Sequence, residues 1–198
     1  MKKLLFVALV SSFIVSCKKD KADDNQSQFP FYFTATINGS AIKYEANDLT
    51  SQFECGTSAP FSVLGDDYDI YEGTFIQDGN DPSKNNIYVH VLKFFDHDPS
   101  SAERLAMFKT GSYPYGFGST SSSTIDGVSI NYADAAGKEW FSESVSQAGS
   151  TFSISEVVDN PDNTSFKIFT ATFSCKLYDG SGGSMDVSNA VIRGKIYN

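Results

Sequence analysis

Histidine, tryptophan and cysteine are scarce in this chain of 198 residues, which contains two histidines, one tryptophan and three cysteines. A histidine-based site could draw only on His90, which alternates with apolar residues in a predicted strand, and His97, which lies in the polar segment "DHDP". We expect His90 to be packed in the core or an interface, and His97 to be a solvated loop residue. The sequence also lacks Gly-x-Ser-x-Gly, His-Glu-x-x-His, a phosphate loop and dinucleotide-binding glycines. It therefore predicts no catalytic residue and no cofactor.

Two acidic segments, "GDDYD" (65–69) and "DGNDPSKNN" (78–86), contain the carboxylate and amide oxygens that calcium prefers. Neither has the spacing of an EF-hand, and Asp, Asn and Gly are also the residues that turns require. We therefore expect turns at these positions and predict no metal site.

Basic residues are few: 15 Lys and Arg stand against 24 Asp and Glu, and the formal net charge is −9. Phosphate binding depends on clustered Lys and Arg, so nucleic acid is excluded as an expected partner. The acidity is better suited to solubility and to mild repulsion from an anionic surface.

Long hydrophobic runs are absent apart from one at the N-terminus. Lys2 and Lys3 precede an apolar stretch at 4–10 and 13–15, which is the layout of a secretory signal peptide. A membrane-spanning helix needs about 20 apolar residues, whereas this run is interrupted by serines and stops at Cys17. Removal of residues 1–16 would take the formal net charge from −9 to −11, because both lysines are lost.

The tetrad Ile14, Val15, Ser16, Cys17 resembles the bacterial lipobox. The resemblance implies diacylglyceryl transfer to Cys17, cleavage after Ser16 and acylation of the new amino terminus by a fatty acid such as palmitate. Two or more acyl chains hold a domain on a membrane without any spanning helix. The alternative is a signal peptide cut elsewhere, with Cys17 as an ordinary thiol. The coincidence of cysteine, small residue and charge boundary favours lipidation, with the outer membrane, on its periplasmic face or at the cell surface, as the location.

Residues 17–28 are predicted to be the lipidated cysteine and a flexible tether. Residues 18–26 contain no apolar side chain larger than alanine, so they bury too little surface to offset the entropy of ordering. The lysines and acidic residues close to Cys17 also resemble the export signal of surface lipoproteins in the Bacteroidota. The remainder, 29–198, is predicted to be one domain.

This domain is predicted to be all-β, an antiparallel sandwich or partly open barrel of about 9 to 11 strands with one short helix. The chain has 17 Phe and 10 Tyr, and turn dipeptides recur between its aromatic segments. Residues 29–37 alternate in polarity and end at Asn38-Gly39, the strongest two-residue hairpin signal. Further strands are predicted at 41–45, 61–64, 68–76, 87–95, 127–132, 139–144, 151–158, 166–178 and 185–197.

Three details follow from these patterns. The run at 87–95 is apolar on both parities, which fits a central strand. The parity of apolar residues changes between Ile168 and Phe169, which predicts a β-bulge there. A helix of one or two turns is predicted at 101–108, with Asp98 as its cap and Pro99 at its first position.

A family resemblance is carried by "FTATINGSAIKYEA" (33–46), "GSYPYG" (111–116) and "FTATFSCKLYDGSGGSMDVSNAVIRGKIYN" (169–198). These stretches look like those of small Bacteroidota outer-membrane lipoproteins of unknown function, which begin with an aromatic-x-Ala-x-apolar-Asn-Gly hairpin and end with an apolar-x-Gly-x-apolar strand. The resemblance covers both ends and the middle of the domain. Its motifs are structural, and it implies no catalytic residue.

Cys55 and Cys175 remain once Cys17 is acylated, and an even number of cysteines in an exported domain suggests a disulfide. Cys175 shares its parity with the apolar residues of its strand, and Cys55 lies in "FECGTS", which is expected to be an irregular connection. The alternative is that both are buried as small hydrophobic residues.

The best candidate for ligand binding is "GSYPYGFG" (111–118), in which Tyr113, Tyr115 and Phe117 alternate around Pro114. Exposed rings of this kind could stack on sugars or on the side chains of a partner. Alternatively, the three rings fill the rim of the sandwich and the Pro and Gly residues form a corner, the arrangement that the family resemblance favours.

We therefore expect a lipid-anchored, non-enzymatic binding or assembly module whose partners are the membrane and a glycan, a peptide or another envelope protein. One alternative is a glycan-processing hydrolase, which would need two carboxyl groups about 5 to 10 Å apart in a cleft. Another is a structural component of the cell surface with no ligand.

Overall fold

The computed structural model describes residues 31–46, 53–58, 68–116, 126–143, 146–161 and 164–197, with the backbone alone at 53–58, 68–71 and 197. Cys17, the tether, the predicted strand at 61–64 and Phe117 lie outside these residues. The strands are β1 Phe31–Ile37, β2 Ser40–Ala46, β3 Phe53–Ser58, β4 Tyr68–Gln77, β5 Asn86–Phe95, β6 Gly111–Ser112, β7 Gly127–Ala133, β8 Glu139–Phe141, β9 Thr151–Asp159, β10 Phe166–Tyr178 and β11 Ser184–Tyr197. One helix, α1 Ser101–Leu105, lies between β5 and β6. No helix in the described ranges is long and apolar enough to cross a membrane.

The strands form one antiparallel sheet in the order β2-β1-β11-β10-β8-β7-β5-β4-β3. β9 pairs with β10 beside β8, and the short β6 pairs with β9. The sheet curls until β3 and β4 contact β11, and β4 contacts β2, so it is nearly closed like a barrel. The predicted all-β fold with one short helix is confirmed, and β5 is a central strand, as its apolar residues on both parities indicated.

The predicted hairpin is confirmed between β1 and β2. Ile37 pairs with Ser40, so the loop contains only Asn38 and Gly39, whose φ values are 48° and 81°. Positive φ at both positions is the geometry of a type I′ turn, and it matches the right-handed twist of the flanking strands. The turn also joins the sheet beyond its own hairpin, because Asn38 Oδ1 accepts a hydrogen bond from Asp186 N over 3.0 Å.

The interior of the barrel is built by side chains that alternate inward. Phe33 stacks on Phe173 with centroids 6.1 Å apart, and Phe173 stacks on Phe152 at 5.6 Å. This row of rings joins β1, β10 and β9 and is fully or almost fully buried. The row explains why the aromatic residues recur with strand periodicity, because each strand supplies its ring from the same face.

Three sequence predictions are corrected by the structure. "FECGTS" is not an irregular connection but the edge strand β3, since pairing with β4 satisfies its backbone although its own pattern is weak. The cap of α1 is Ser100 rather than Asp98: Ser100 Oγ accepts from Glu103 N, and the Glu103 carboxylate accepts from Ser100 N, which together form a capping box. Pro99 therefore precedes the helix.

The third correction concerns the predicted bulge in β10. Ile168 and Phe169 are both buried as expected, but the extra residues lie in the two neighbouring strands. Between the pairs Thr170–Glu156 and Ala171–Ile154, the unpaired residue belongs to β9. In β11 the register shifts against both neighbours around Asn189, whose φ is 50°. An extra residue in a neighbouring strand bends the sheet as effectively as one in β10 itself.

Candidate functional site

A pocket of about 370 Å³ lies where the C-terminal end of α1 meets β6, the middle of β5 and the start of β7. Its volume is within the range of small-molecule sites. The described residues on its walls include Leu92, Lys93, Met107, Lys109, Tyr113 and Asp126. Because these come from β5, the segment after α1 and the residues before β7, the pocket exists only in the folded chain.

The segment 111–116 forms one wall, and it is fixed by main-chain hydrogen bonds on both sides. Gly111 and Ser112 pair with β9, and Tyr113 N donates to Phe152 O over 3.0 Å. On the other side Val128 N donates to Pro114 O over 2.9 Å, and Gly116 N donates to Val128 O over 2.8 Å. A Cβ at Gly127 would lie 2.4 Å from Pro114 O, so this approach requires glycine.

Tyr113 lies on the pocket wall, and its hydroxyl is held by the main chain after α1. The hydroxyl oxygen accepts from Lys109 N over 2.6 Å and donates to Met107 O at 2.9 Å or Lys109 O at 2.8 Å. The ring is partly buried and meets Phe152 edge to face, with centroids 6.2 Å apart. Tyr113 therefore shapes the pocket and ties the turn after the helix to β9.

Tyr115 lies elsewhere. Its hydroxyl donates to Ser174 O over 2.9 Å and lies beside the Cys175 thiol, and its ring packs against the core. Burial raises the pKa of Tyr115 above its usual value. The structure thus separates two of the three predicted binding residues, since Tyr113 contributes to the pocket and Tyr115 fills the rim of the barrel. Phe117 lies outside the described residues, so its predicted role stays a prediction.

Three charged side chains line the pocket among the residues that the structure describes. Lys93 and Lys109 are exposed, and Lys93 Nζ lies 5.0 Å from the centroid of the Phe95 ring. Asp126 is also exposed, and its Oδ1 accepts from Phe94 N over 2.8 Å. Two apolar side chains, Leu92 and Met107, line its floor and are themselves only 1% and 5% exposed. Sequence reasoning missed both lysines and Asp126, because no local motif marks them.

The two histidines have the environments that their segments predicted. His90 is partly buried beside Tyr88, with ring centroids 5.6 Å apart, and burial lowers the pKa of His90 to about 4. His97 is exposed and contacts Asp96 and Glu103, and both carboxylates raise the pKa of its imidazole. Within the described ranges, no three His, Cys, Asp or Glu side chains cluster as metal ligands.

In the first acidic segment, 65–67 lies outside the described residues and 68–69 belongs to β4, whereas in the second 78–85 is a turn and Asn86 begins β5. Asp81 Oδ1 accepts from Ser83 N at 3.1 Å and from Ser83 Oγ at 2.6 Å, and its other oxygen pairs with Lys84. These contacts, led by the Ser83 hydroxyl, lower the pKa of Asp81 to about 2. The carboxylate serves the turn, as the sequence indicated.

Cys175 is a free and buried thiol in the structure, and burial raises its pKa to about 12. The backbone of Cys55 lies in β3, opposite Thr74 of β4, and its side chain is outside the described residues. The free Cys175 does not support the predicted bridge, which stays a prediction for the protein in solution.

Among known proteins, the chain matches no family model, no curated protein and no solved structure.

Proposed function

We propose that this protein is a lipid-anchored lipoprotein of the outer membrane or cell surface that binds a ligand in the pocket beside α1. The observation that carries the proposal is the pocket itself, which combines an apolar floor, an aromatic wall at Tyr113 and a charged rim. Convergence of a few polar groups on an apolar concave surface is typical of binding sites. The Bacteroidota family that the hairpin and the closing strands resemble is consistent with this location.

The anchor part of the proposal depends on Cys17. Cysteine follows a short apolar run and a small residue, and a polar stretch separates it from the domain that begins near Phe31. Acyl chains on Cys17 would hold the domain at the membrane, while the tether would let its pocket face the surrounding space.

The carboxylates in and near the pocket favour a binding function over hydrolysis. A glycosidase would need two carboxyl groups facing each other across the cleft. Among the described residues that line the pocket, Asp126 is the one carboxylate, and its Oδ1 is already bound to Phe94 N. Glu143 has a raised pKa because of its burial, but its Oε1 accepts from Ser129 Oγ and it does not line this pocket. The described geometry therefore supports recognition more directly than acid–base chemistry.

The anchor is tested by Cys17→Ser. We expect the wild type to incorporate labelled palmitate and to fractionate with membranes. The variant should lose the label and either leave the membrane or accumulate as an uncleaved precursor. A variant that is labelled, migrates and fractionates like the wild type would contradict the anchor.

The pocket is tested by Ala106→Trp, which places an indole at the pocket wall, with Ala102→Trp as the matched control. Both alanines are exposed and belong to the α1 segment, but only Ala106 lines the pocket. Purified variants would be screened by calorimetry against saccharides, short peptides and amphiphiles. We expect at least one compound to bind the wild type and Ala102→Trp but not Ala106→Trp. If every compound that binds does so equally in both variants, the pocket is not the binding site.

A further inference from the structure

The cations of the described chain divide into two groups. Seven of the ten described Lys and Arg residues form ion pairs with carboxylates: Lys43, Lys84, Arg104, Lys138, Lys167, Lys176 and Arg193. Lys195 lies over the rings of Phe31 and Phe166 and has further contacts. Lys93 and Lys109 are the cations without a carboxylate within ion-pair distance in the described residues. Both line the same pocket.

Two positive charges thus share one pocket in a protein whose formal net charge is −9. Most of the described cations are paired with a nearby carboxylate, whereas Lys93 and Lys109, which line the same pocket, are not. The one described carboxylate of the pocket, Asp126, forms no ion pair with either lysine, and its Oδ1 accepts a hydrogen bond from Phe94 N. The described part of the pocket rim therefore carries two cations against one anion.

The floor between the charges is apolar. Leu92 and Met107 are almost completely buried, and the ring of Tyr113 forms a side wall with its hydroxyl turned to the main chain. The Phe95 ring lies near Lys93 Nζ, a contact that helps to hold the ammonium group at this edge. A ligand that fits these surfaces needs an anionic head for the rim and an apolar body for the floor.

We infer that the pocket binds an amphiphilic anion, with a single carboxylate or phosphate head between Lys93 and Lys109 and an apolar body over Leu92 and Met107. This inference rests on the proposed binding function and names the chemical class of its ligand. Asp126 orients the head toward the lysines, because a second negative charge beside Asp126 would be repelled.

The probes are octanoate, octyl phosphate and the uncharged analogue octanamide. Each would be titrated by calorimetry into the purified full-length chain carrying Cys17→Ser, which the proposal expects to be free of acyl chains. We expect at least one of the two anions to bind about tenfold more tightly than octanamide, because a hydrogen bond to a charged group is stronger than one between neutral groups. Binding of the anion should weaken as salt is added. Comparison of octanoate with octyl phosphate distinguishes a carboxylate ligand from a phosphate ligand.

The variants are Lys93→Met with Lys109→Met, which keeps most of each side chain and removes its charge. The matched control is Lys43→Met with Lys84→Met; Lys43 is exposed, Lys84 is half-buried, and neither lines the pocket. We expect the first pair to lose the preference for the anion and the control pair to retain it. Asp126→Asn, which keeps an oxygen for Phe94 N, should tighten binding of the anion.

Three results would overturn the inference. Neither anion binds, octanamide binds as tightly as the anions, or the double variant Lys93→Met with Lys109→Met binds the anions with unchanged affinity. The comparison with octanamide needs no substitution, so it decides the question even if a variant fails to fold. The proposed function can fail separately. If neither anion binds, but a neutral saccharide does and Ala106→Trp removes that binding, the function stands and the inference falls.

Discussion

Gly194 of β11 faces Thr74 of β4 across the interior of the barrel, and a Cβ at position 194 would lie 2.6 Å from Thr74 Cγ2 and 2.7 Å from Thr74 Oγ1. β11 and β4 are not neighbours in the order of the sheet, so this contact measures how closely the sheet curls onto itself. Glycine in a strand interior often marks such an approach of another part of the structure.

We expect Gly194→Ala to lower the free energy of unfolding by about 1 to 3 kcal/mol, the usual cost of overpacking. Chemical denaturation would measure it in a double-mutant cycle with Thr74→Ala. Removing the Thr74 hydroxyl and methyl makes room for the new Cβ, so the double variant should be more stable than the sum of the single effects. Strictly additive losses would mean that the two strands are not in contact at this point.

Gly39→Val should destabilise the β1–β2 hairpin. Position 39 has φ of 81°, and no atom lies within 4 Å of a Cβ built there, so the cost comes from the backbone conformation and not from crowding. We expect a loss of about 1 to 2 kcal/mol in thermal or chemical unfolding. Ser40→Val is the control, because Ser40 is exposed in β2 and does not have positive φ. Equal stability of the two variants would contradict the type I′ turn.

The capping box of α1 should give the fold an acid-sensitive contribution. Hydrogen bonds from Ser100, followed by the contact with His97, lower the pKa of Glu103 to about 2, below its ordinary value of 4.5. A depressed folded pKa means that this stability is present above pH 4.5 and is lost as the pH falls toward 2. Glu103→Gln keeps the acceptor of the capping box but not the charge. The difference in unfolding free energy between wild type and Glu103→Gln should shrink as the pH is lowered through this window.

His97 should contribute to stability with the opposite pH dependence. Hydrogen bonds to Asp96 and then Glu103 raise the pKa of His97 above 6.5, so the stability that it contributes is present below pH 6.5 and is lost as the pH rises through the folded pKa. His97→Gln should remove this pH dependence and leave the loss of stability at acidic pH that comes from Glu103. An NMR titration of His97 that gives a pKa below 6.5 would show that the contacts with Asp96 and Glu103 do not hold in solution.

The state of Cys175 distinguishes a buried thiol from the predicted bridge with Cys55. We expect Cys175 to resist iodoacetamide in the native protein at pH 8, because burial raises its pKa to about 12 and the thiolate is the reactive form. After denaturation without reductant, alkylation of both Cys55 and Cys175, detected by mass spectrometry, would exclude the bridge. If neither is labelled until a reductant is added, the disulfide is present and the free thiol of the structure is not the state in solution.

The local sequence determined much of the strand pattern. The polarity of 31–37 and the dipeptide Asn38-Gly39 gave the first hairpin, and the ends of β10 were predicted to the residue. These features depend on side-chain period and turn geometry, which act between neighbours in the chain. β3 was not predicted, because an edge strand needs little alternation of apolar and polar residues when a partner strand supplies its hydrogen bonds.

Tertiary structure decided the order of the strands, the position of the bulges and the pocket. β11 lies between β1 and β10 because long-range pairing buries the apolar faces of all three strands, and no short segment encodes that choice. Lys93 and Lys109 are unremarkable in the sequence, and they share a pocket only because α1 and the segment 111–116 fold back against β5 and β7. Local patterns fix which residues face inward, whereas the meeting of distant side chains depends on how the closed sheet brings its strands together.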